Sequence, residues 1–165
     1  MGKKLPVFED SRVDEMKAVR KKPSVDAART RLGGRLAPAD IAPAGFAPGV
    51  VVRFESNIVG VVVYGNESEI HVLLDGVRLR RAAPHDVQVH DGSPGIELEK
   101  LAADARLFGL VVEGQAVRYA DDTGLLVDGK VAEKCRWGAL VLRGDDSVVA
   151  VGFRKLWPIP PRGAM

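Results

Sequence analysis

Only one cysteine, Cys135, occurs in 165 residues, which excludes an intramolecular disulfide and a cysteine-built zinc cage. Its neighbours Lys134 and Arg136 are cations of the kind that lower a thiol pKa, but no motif brings a histidine to it, so it reads as a strand cysteine. No apolar run approaches the roughly 20 residues that cross a bilayer. The start MGKKLPVFEDSR has no apolar core behind its lysines, so no secretory signal is expected and the cytoplasm is the expected compartment. No glycine-rich turn ends in Lys-Ser/Thr, so there is no phosphate loop. The three histidines are His71, His85 and His90. Two of them form His85-Asp86 and His90-Asp91, yet neighbours on a strand point to opposite faces, and both pairs read as surface turns. No catalytic residue, metal site or cofactor emerges, and an enzyme is not expected.

What is present is a repeat. Gly49, Val52, Arg53 and Phe54 match Gly114, Val117, Arg118 and Tyr119 at a spacing of 65; further on, Gly60, Val62, Val72, Leu79 and Val87 match Gly129, Val131, Val141, Val148 and Leu156 at 69. A change of spacing from 65 to 69 places a four-residue insertion in the first loop of the second copy. Two small all-β units follow, each at the lower edge of independent stability and so expected to support the other.

Net charge is +2, and its distribution says more than its size. Residues 1–35 hold ten Lys/Arg against five acids, whereas the remainder holds 14 against 17. A basic arm therefore precedes a mildly acidic body. In the arm, Ser11 followed by Asp14 and Glu15 predicts a short helix start. Lys21-Lys22-Pro23 then predicts a break, and Ser24 a second short helix stopped by Gly33-Gly34. Pieces this short are marginal in water, so the arm is read as flexible and partly helical, becoming ordered on a partner, or as a solvated leader. Pro38, Pro43 and Pro48 make an extended Ala-Pro linker, with Ile41 and Phe46 able to pin it to the body.

The first unit, 49–92, predicts five strands: 50–54, 58–64, 69–74, 77–80 and 87–89. Asp75-Gly76 is a two-residue hairpin signal, and alternation puts Val77 and Leu79 inward with Arg78 and Arg80 outward. The span 93–111 carries a helix, 96–108, whose stripe of Leu98, Leu101, Ala102, Ala105 and Phe108 needs burial and is expected to fill the seam between the units. The second unit, 112–158, predicts strands at 110–119, 125–127, 130–135, 138–142, 148–151 and 156–157, with Asp128-Gly129 as a turn; residues 159–165 form a tail.

Gly49-x-x-Val52 with Gly60-Val61-Val62, and Gly114-x-x-Val117 with Gly129-Lys130-Val131, resemble SH3-like barrels, the superfamily of KOW and Tudor modules. The short last strands after Asp86 and Lys155 fit the same pattern. The resemblance covers just over half the chain and implies two five-stranded barrels joined by one helix. The aromatic row of proline-peptide grooves is missing, and Phe54 and Tyr119 read as core.

Two binding functions remain. One is a non-enzymatic adaptor or assembly protein that holds a protein partner through the barrels; the other is a KOW-like nucleic-acid binder. Candidate contact residues are Arg53, Arg78, Arg80, Arg81, Arg118, Lys130 and Arg136 on the body. On the arm they are Lys17, Arg20, Lys21, Lys22, Arg29 and Arg31. Residues 49–92 carry four arginines against six acids and 113–157 balance seven against seven. A nucleic-acid surface needs an excess of cations, which ranks the protein partner first.

Overall fold

The structure, a computed structural model, describes residues 21–37, 40–75 and 77–160. The helix start expected near Ser11, together with Lys17 and Arg20, lies outside these residues. Among the described residues the fold is mainly β, with two five-stranded antiparallel sheets and two α-helices. The first sheet contains β1 (Val51–Phe54), β2 (Val59–Gly65), β3 (Ile70–Leu73), β4 (Leu79–Ala82) and β5 (Val87–Val89) in the order β4-β3-β2-β1-β5. The second contains β6 (Ala116–Ala120), β7 (Leu126–Lys134), β8 (Gly138–Leu142), β9 (Val148–Gly152) and β10 (Leu156–Pro158) in the order β10-β6-β7-β8-β9. Among the described residues no pairing joins β4 to β5 or β9 to β10. Each sheet is therefore open, where the sequence reading expected a barrel.

The repeat is exact in strand register. Arg53 pairs with Val59 in the first sheet and Arg118 with Asp128 in the second, so the β6–β7 hairpin is four residues longer than the β1–β2 hairpin. The same irregularity interrupts β2–β3 at Val62/Tyr64 and β7–β8 at Val131/Glu133. The matched glycines have one shared reason. A Cβ on Gly60 would stand 2.5 Å from Val72 Cγ1, and one on Gly129 2.5 Å from Val141 Cγ1, closer than real carbon atoms pack.

Two turns differ from expectation. Asp128-Gly129 is the interior of β7, and the real turn lies earlier, where Asp121 Oδ1 accepts from the backbone N–H groups of Thr123 and Leu125. In the first sheet Leu73 pairs with Leu79, and Asp75 Oδ1 accepts from the N–H groups of Val77 and Arg78. This aspartate turn lengthens the loop, so Val77 sits at its tip, 85% exposed, instead of facing inward. Arg78 lies in the loop and does not share a strand face with Arg80.

Helix α1 (Lys21–Arg31) runs through Pro23 without a break, because a proline in the first turn removes no intrahelical bond. It ends at Gly33 and Gly34, with φ of +86° and +89° and N–H bonds back to Thr30 and Arg29, a glycine-terminated helix stop. The helix is not free of the body. Ala28 and Leu32 are buried with Cys135 and Leu140, and Val25 and Ala150 pack beside them. Arg29 Nε donates to Glu133 at 2.5 Å. For residues 25–37 the expectation of a flexible arm is thus replaced by a docked segment: its narrow apolar stripe matches a gap on the second sheet. In the linker, Phe46 packs against the first sheet while Ile41 stays exposed.

Helix α2 (Ile96–Gly109) buries Leu101, Ala102, Ala105 and Phe108. These join one cluster with Val61, Val63 and Leu73 of the first sheet and Val117, Tyr119, Val131 and Leu156 of the second. A separate cluster of Val52, Phe54, Val62, Ile70, Val72 and Val87 fills the first unit.

Equivalent faces of the two sheets are covered by different partners. His71 in β3 and Leu140 in β8 occupy matching registers, opposite Tyr64 and Glu133. Leu140 lies under α1. His71 lies under Trp137, from the turn between β7 and β8.

Candidate functional site

Between the unpaired edges of β4 and β5 the first unit opens into a cleft of about 710 Å³. Arg53, Arg80 and Arg81 line it with His85, and Glu55 and Asp86 are also at its walls. All three arginines are exposed. Arg80 lays its guanidinium 4.3 Å above the buried Phe54 ring, a stacking that fixes the fork while leaving its N–H donors free. Arg53 donates to Gln88 Oε1 at 3.0 Å. Among the described residues none of the three is in an ion pair with a carboxylate. Against Glu55 and Asp86 the three arginines leave the cleft with an excess of positive charge, and His85 stands 3.5 Å from Asp86.

The second unit has a corresponding cleft, of about 500 Å³, with cations at other positions: Arg154 and Lys155 stand in place of His85 and Asp86, beside Arg143, Asp121 and Asp122. Arg80 and Arg81 become Val149 and Ala150, and the end of α1 brings Arg31 and Leu32 to its wall. Arg53 becomes Arg118, which is neutralised by Asp128 across the strand pair at 2.8 Å. The residue facing Arg53 is Val59.

The remaining candidate residues are dispersed. Arg78 pairs with Asp75 at 2.8 Å at the hairpin tip. Lys130 is exposed on β7, away from the first cleft. Arg136 is half-buried, donating to the Gly33 carbonyl at 3.0 Å, 5.0 Å from the Tyr64 ring and 3.9 Å from Asp40; its role is to join segments. Arg29 is held by Glu133 and Asp26, whose hydrogen bonds raise its pKa. Lys21 and Lys22 belong to the first turn of α1. Arg53, Arg80 and Arg81 thus all line one cleft, Arg80 on the Phe54 face of β4 and Arg81 on the His71 face, and the other candidates lie elsewhere.

A polar network that sequence reasoning missed centres on His71, 1% exposed. Trp137 Nε1–H donates to His71 Nδ1 at 2.9 Å, and His71 Nε2 meets Glu69 Oε2 at 3.1 Å. Since indole is a donor only, Nδ1 must accept and Nε2 carries the proton that Glu69 receives. Burial lowers the His71 pKa, with Glu69 opposing and Arg81 and Arg136 adding to the effect. No partner in sequence signals this, because Trp137 is 66 residues away.

Two further titratable groups are structural. Burial pushes the Cys135 thiol up to about 12, with Glu133 adding to it, so the flanking cations do not activate it. Burial brings Lys134 down to about 8, and its Nζ donates to the Val111 carbonyl at 2.7 Å just beyond the end of α2. Among the described residues no three His, Cys, Asp or Glu side chains stand close enough to hold a metal ion, and no helix is long and apolar enough to cross a membrane. No protein-family model matches the chain, and no curated protein matches it.

Proposed function

We propose that this chain is a non-enzymatic adaptor or assembly protein, built from tandem SH3-like modules and holding a protein partner through the first of them. The strand order β4-β3-β2-β1-β5, with a single 3₁₀ turn (Pro84–Asp86) before the last strand returns to β1, supports the SH3-like reading. The observation that carries the function is the cleft of Arg53, Arg80 and Arg81, whose charges have no internal partner among the described residues. The shared core around α2 supports two modules held as one body, which suits recognition of a shaped surface. A nucleic-acid reading needs a continuous excess of cations, whereas Arg29 is engaged by acids and Glu55 and Asp86 stand at the cleft.

The test is affinity capture on the full chain from cell extract, with and without nuclease, beside an Arg80→Glu/Arg81→Glu variant. Capture of one protein that survives nuclease and is lost in the variant is the expected result. Capture abolished by nuclease, with random DNA or RNA retarded at physiological salt, overturns it.

A further inference from the structure

We infer that the cleft between β4 and β5 binds an extended peptide segment rich in carboxylates, with one acidic side chain on the Arg80 fork and others reaching Arg53 and Arg81 at the rims. This rests on the protein-partner reading above and names the chemistry of the partner. The argument is a comparison within one molecule, since the two units share registers, bulges and glycine contacts, so differences at matched positions are informative. At the three matched positions the second unit has Arg118, paired with Asp128, and Val149 and Ala150, while its own cations, Arg154 and Lys155, stand where the first unit has His85 and Asp86. In the first unit Val59 replaces the aspartate, and both arginines are present. Three arginines without a close ion-pair partner, set against Glu55 and Asp86 at the same cleft, leave it with a small excess of positive charge. They fit an anionic occupant that supplies what Asp128 supplies in the second unit.

Geometry favours carboxylates on a peptide over a phosphate backbone. Arg80, held flat on Phe54, presents a planar fork suited to a bidentate carboxylate. The edges of β4 and β5 each pair on one side only, so main-chain groups beside the arginines are available to an extended chain. Glu55 and Asp86 at the cleft walls repel a polyanion of continuous charge but leave room for carboxylates spaced by apolar residues. The cleft volume of about 710 Å³ lies within the usual range for ligand sites.

The experiment is an NMR titration of the ¹⁵N-labelled full chain with the capped peptide Glu-Val-Glu-Val-Glu, beside Lys-Val-Lys-Val-Lys and an oligothymidylate. The expected result is saturable movement of the Arg53, Arg80 and Arg81 Nε–H signals and of the Val87 and Gln88 amides with the acidic peptide alone. Arg80→Ala should weaken binding about tenfold or more, and Arg80→Lys by less, because it keeps the charge and loses the fork. Arg154→Ala, in the other cleft, should leave it unchanged. These positions are exposed, and an unaltered amide spectrum elsewhere verifies folding. No movement with the acidic peptide, movement confined to the second unit, or a stronger response of the same signals to the oligonucleotide at about 150 mM salt overturns the inference. If capture of a nuclease-resistant protein persists while the peptide fails, this inference falls and the adaptor reading stands. If capture requires nucleic acid, the adaptor reading itself falls.

Discussion

Trp137 and His71 sit 66 residues apart in the chain and share a 2.9 Å hydrogen bond across the junction of the two sheets. The indole can only donate, so the bond defines one tautomer of a buried imidazole. Around it, Tyr64 tilts against His71 at 4.7 Å and Arg136 lies over Tyr64 at 5.0 Å. The junction therefore has a polar centre beside the apolar one built on α2.

Trp137→Phe keeps most of the ring and removes the donor. His71 Nδ1 is then buried without a partner, at a cost of about 1–3 kcal/mol. Urea denaturation should show a lower midpoint with an unchanged slope. A midpoint equal to the parent's would mean that the bond contributes nothing net.

Stability should fall on mild acidification. The His71 pKa in the folded chain is below its ordinary 6.5 because burial disfavours the charged ring. The unfolded chain therefore binds more protons as the pH drops below 6.5. The contribution is complete above that value and is lost as pH falls towards the folded pKa. Denaturation midpoints from pH 8 to 5 should decline in the parent and decline less in His71→Gln, which has no ring to titrate. Parallel curves would remove His71 from the account.

Leu101→Asp tests the sharing of one core. Leu101 is 1% exposed in the cluster that contains residues of both sheets. An unpaired carboxylate there costs about 3–5 kcal/mol. Thermal unfolding followed by circular dichroism should shift strongly downward, and the signals of both units should weaken together. A melt unchanged from the parent would place α2 outside the core.

The docking of α1 is read through Cys135. The thiol is fully buried under Ala28 and Leu32, and its pKa is raised to about 12. A thiol-specific disulfide reagent should leave the folded chain unmodified at pH 8. Ala28→Asp, or removal of residues 1–36, should expose the thiol and make it react. Rapid reaction in the intact chain would show that α1 does not cover it.

The repeat was legible because its glycines are demanded by backbone geometry: Gly60 and Gly129 meet the same valine methyl group, so spacing survives where identity does not. Helix α2 was legible from Leu101, Ala102, Ala105 and Phe108, whose periodicity is local. Misread positions depended on side chains acting on the backbone. Asp75 and Asp121 capture N–H groups and shift their turns, while Asp128-Gly129, a turn signal in isolation, is overridden by pairing with Arg118 and Val117. Arg53, Arg80 and Arg81 were visible as arginines, but that they line one cleft while Arg78 stays at the hairpin tip follows from the aspartate turn. The His71–Trp137 bond and the seating of α1 had no local signature, because each needs a partner from a distant strand.

The contrast of His71 with Leu140 bears on why two repeated units receive different neighbours. Each unit presents the same face, and in the first unit that face receives the 136–137 turn of the second, a head-to-tail relation within one chain. Two features set the second face apart. The second face carries Leu140, which has no acceptor for the indole N–H, and α1 already lies over it. The docked helix thus covers, on the second sheet, the face that on the first sheet receives the 136–137 turn.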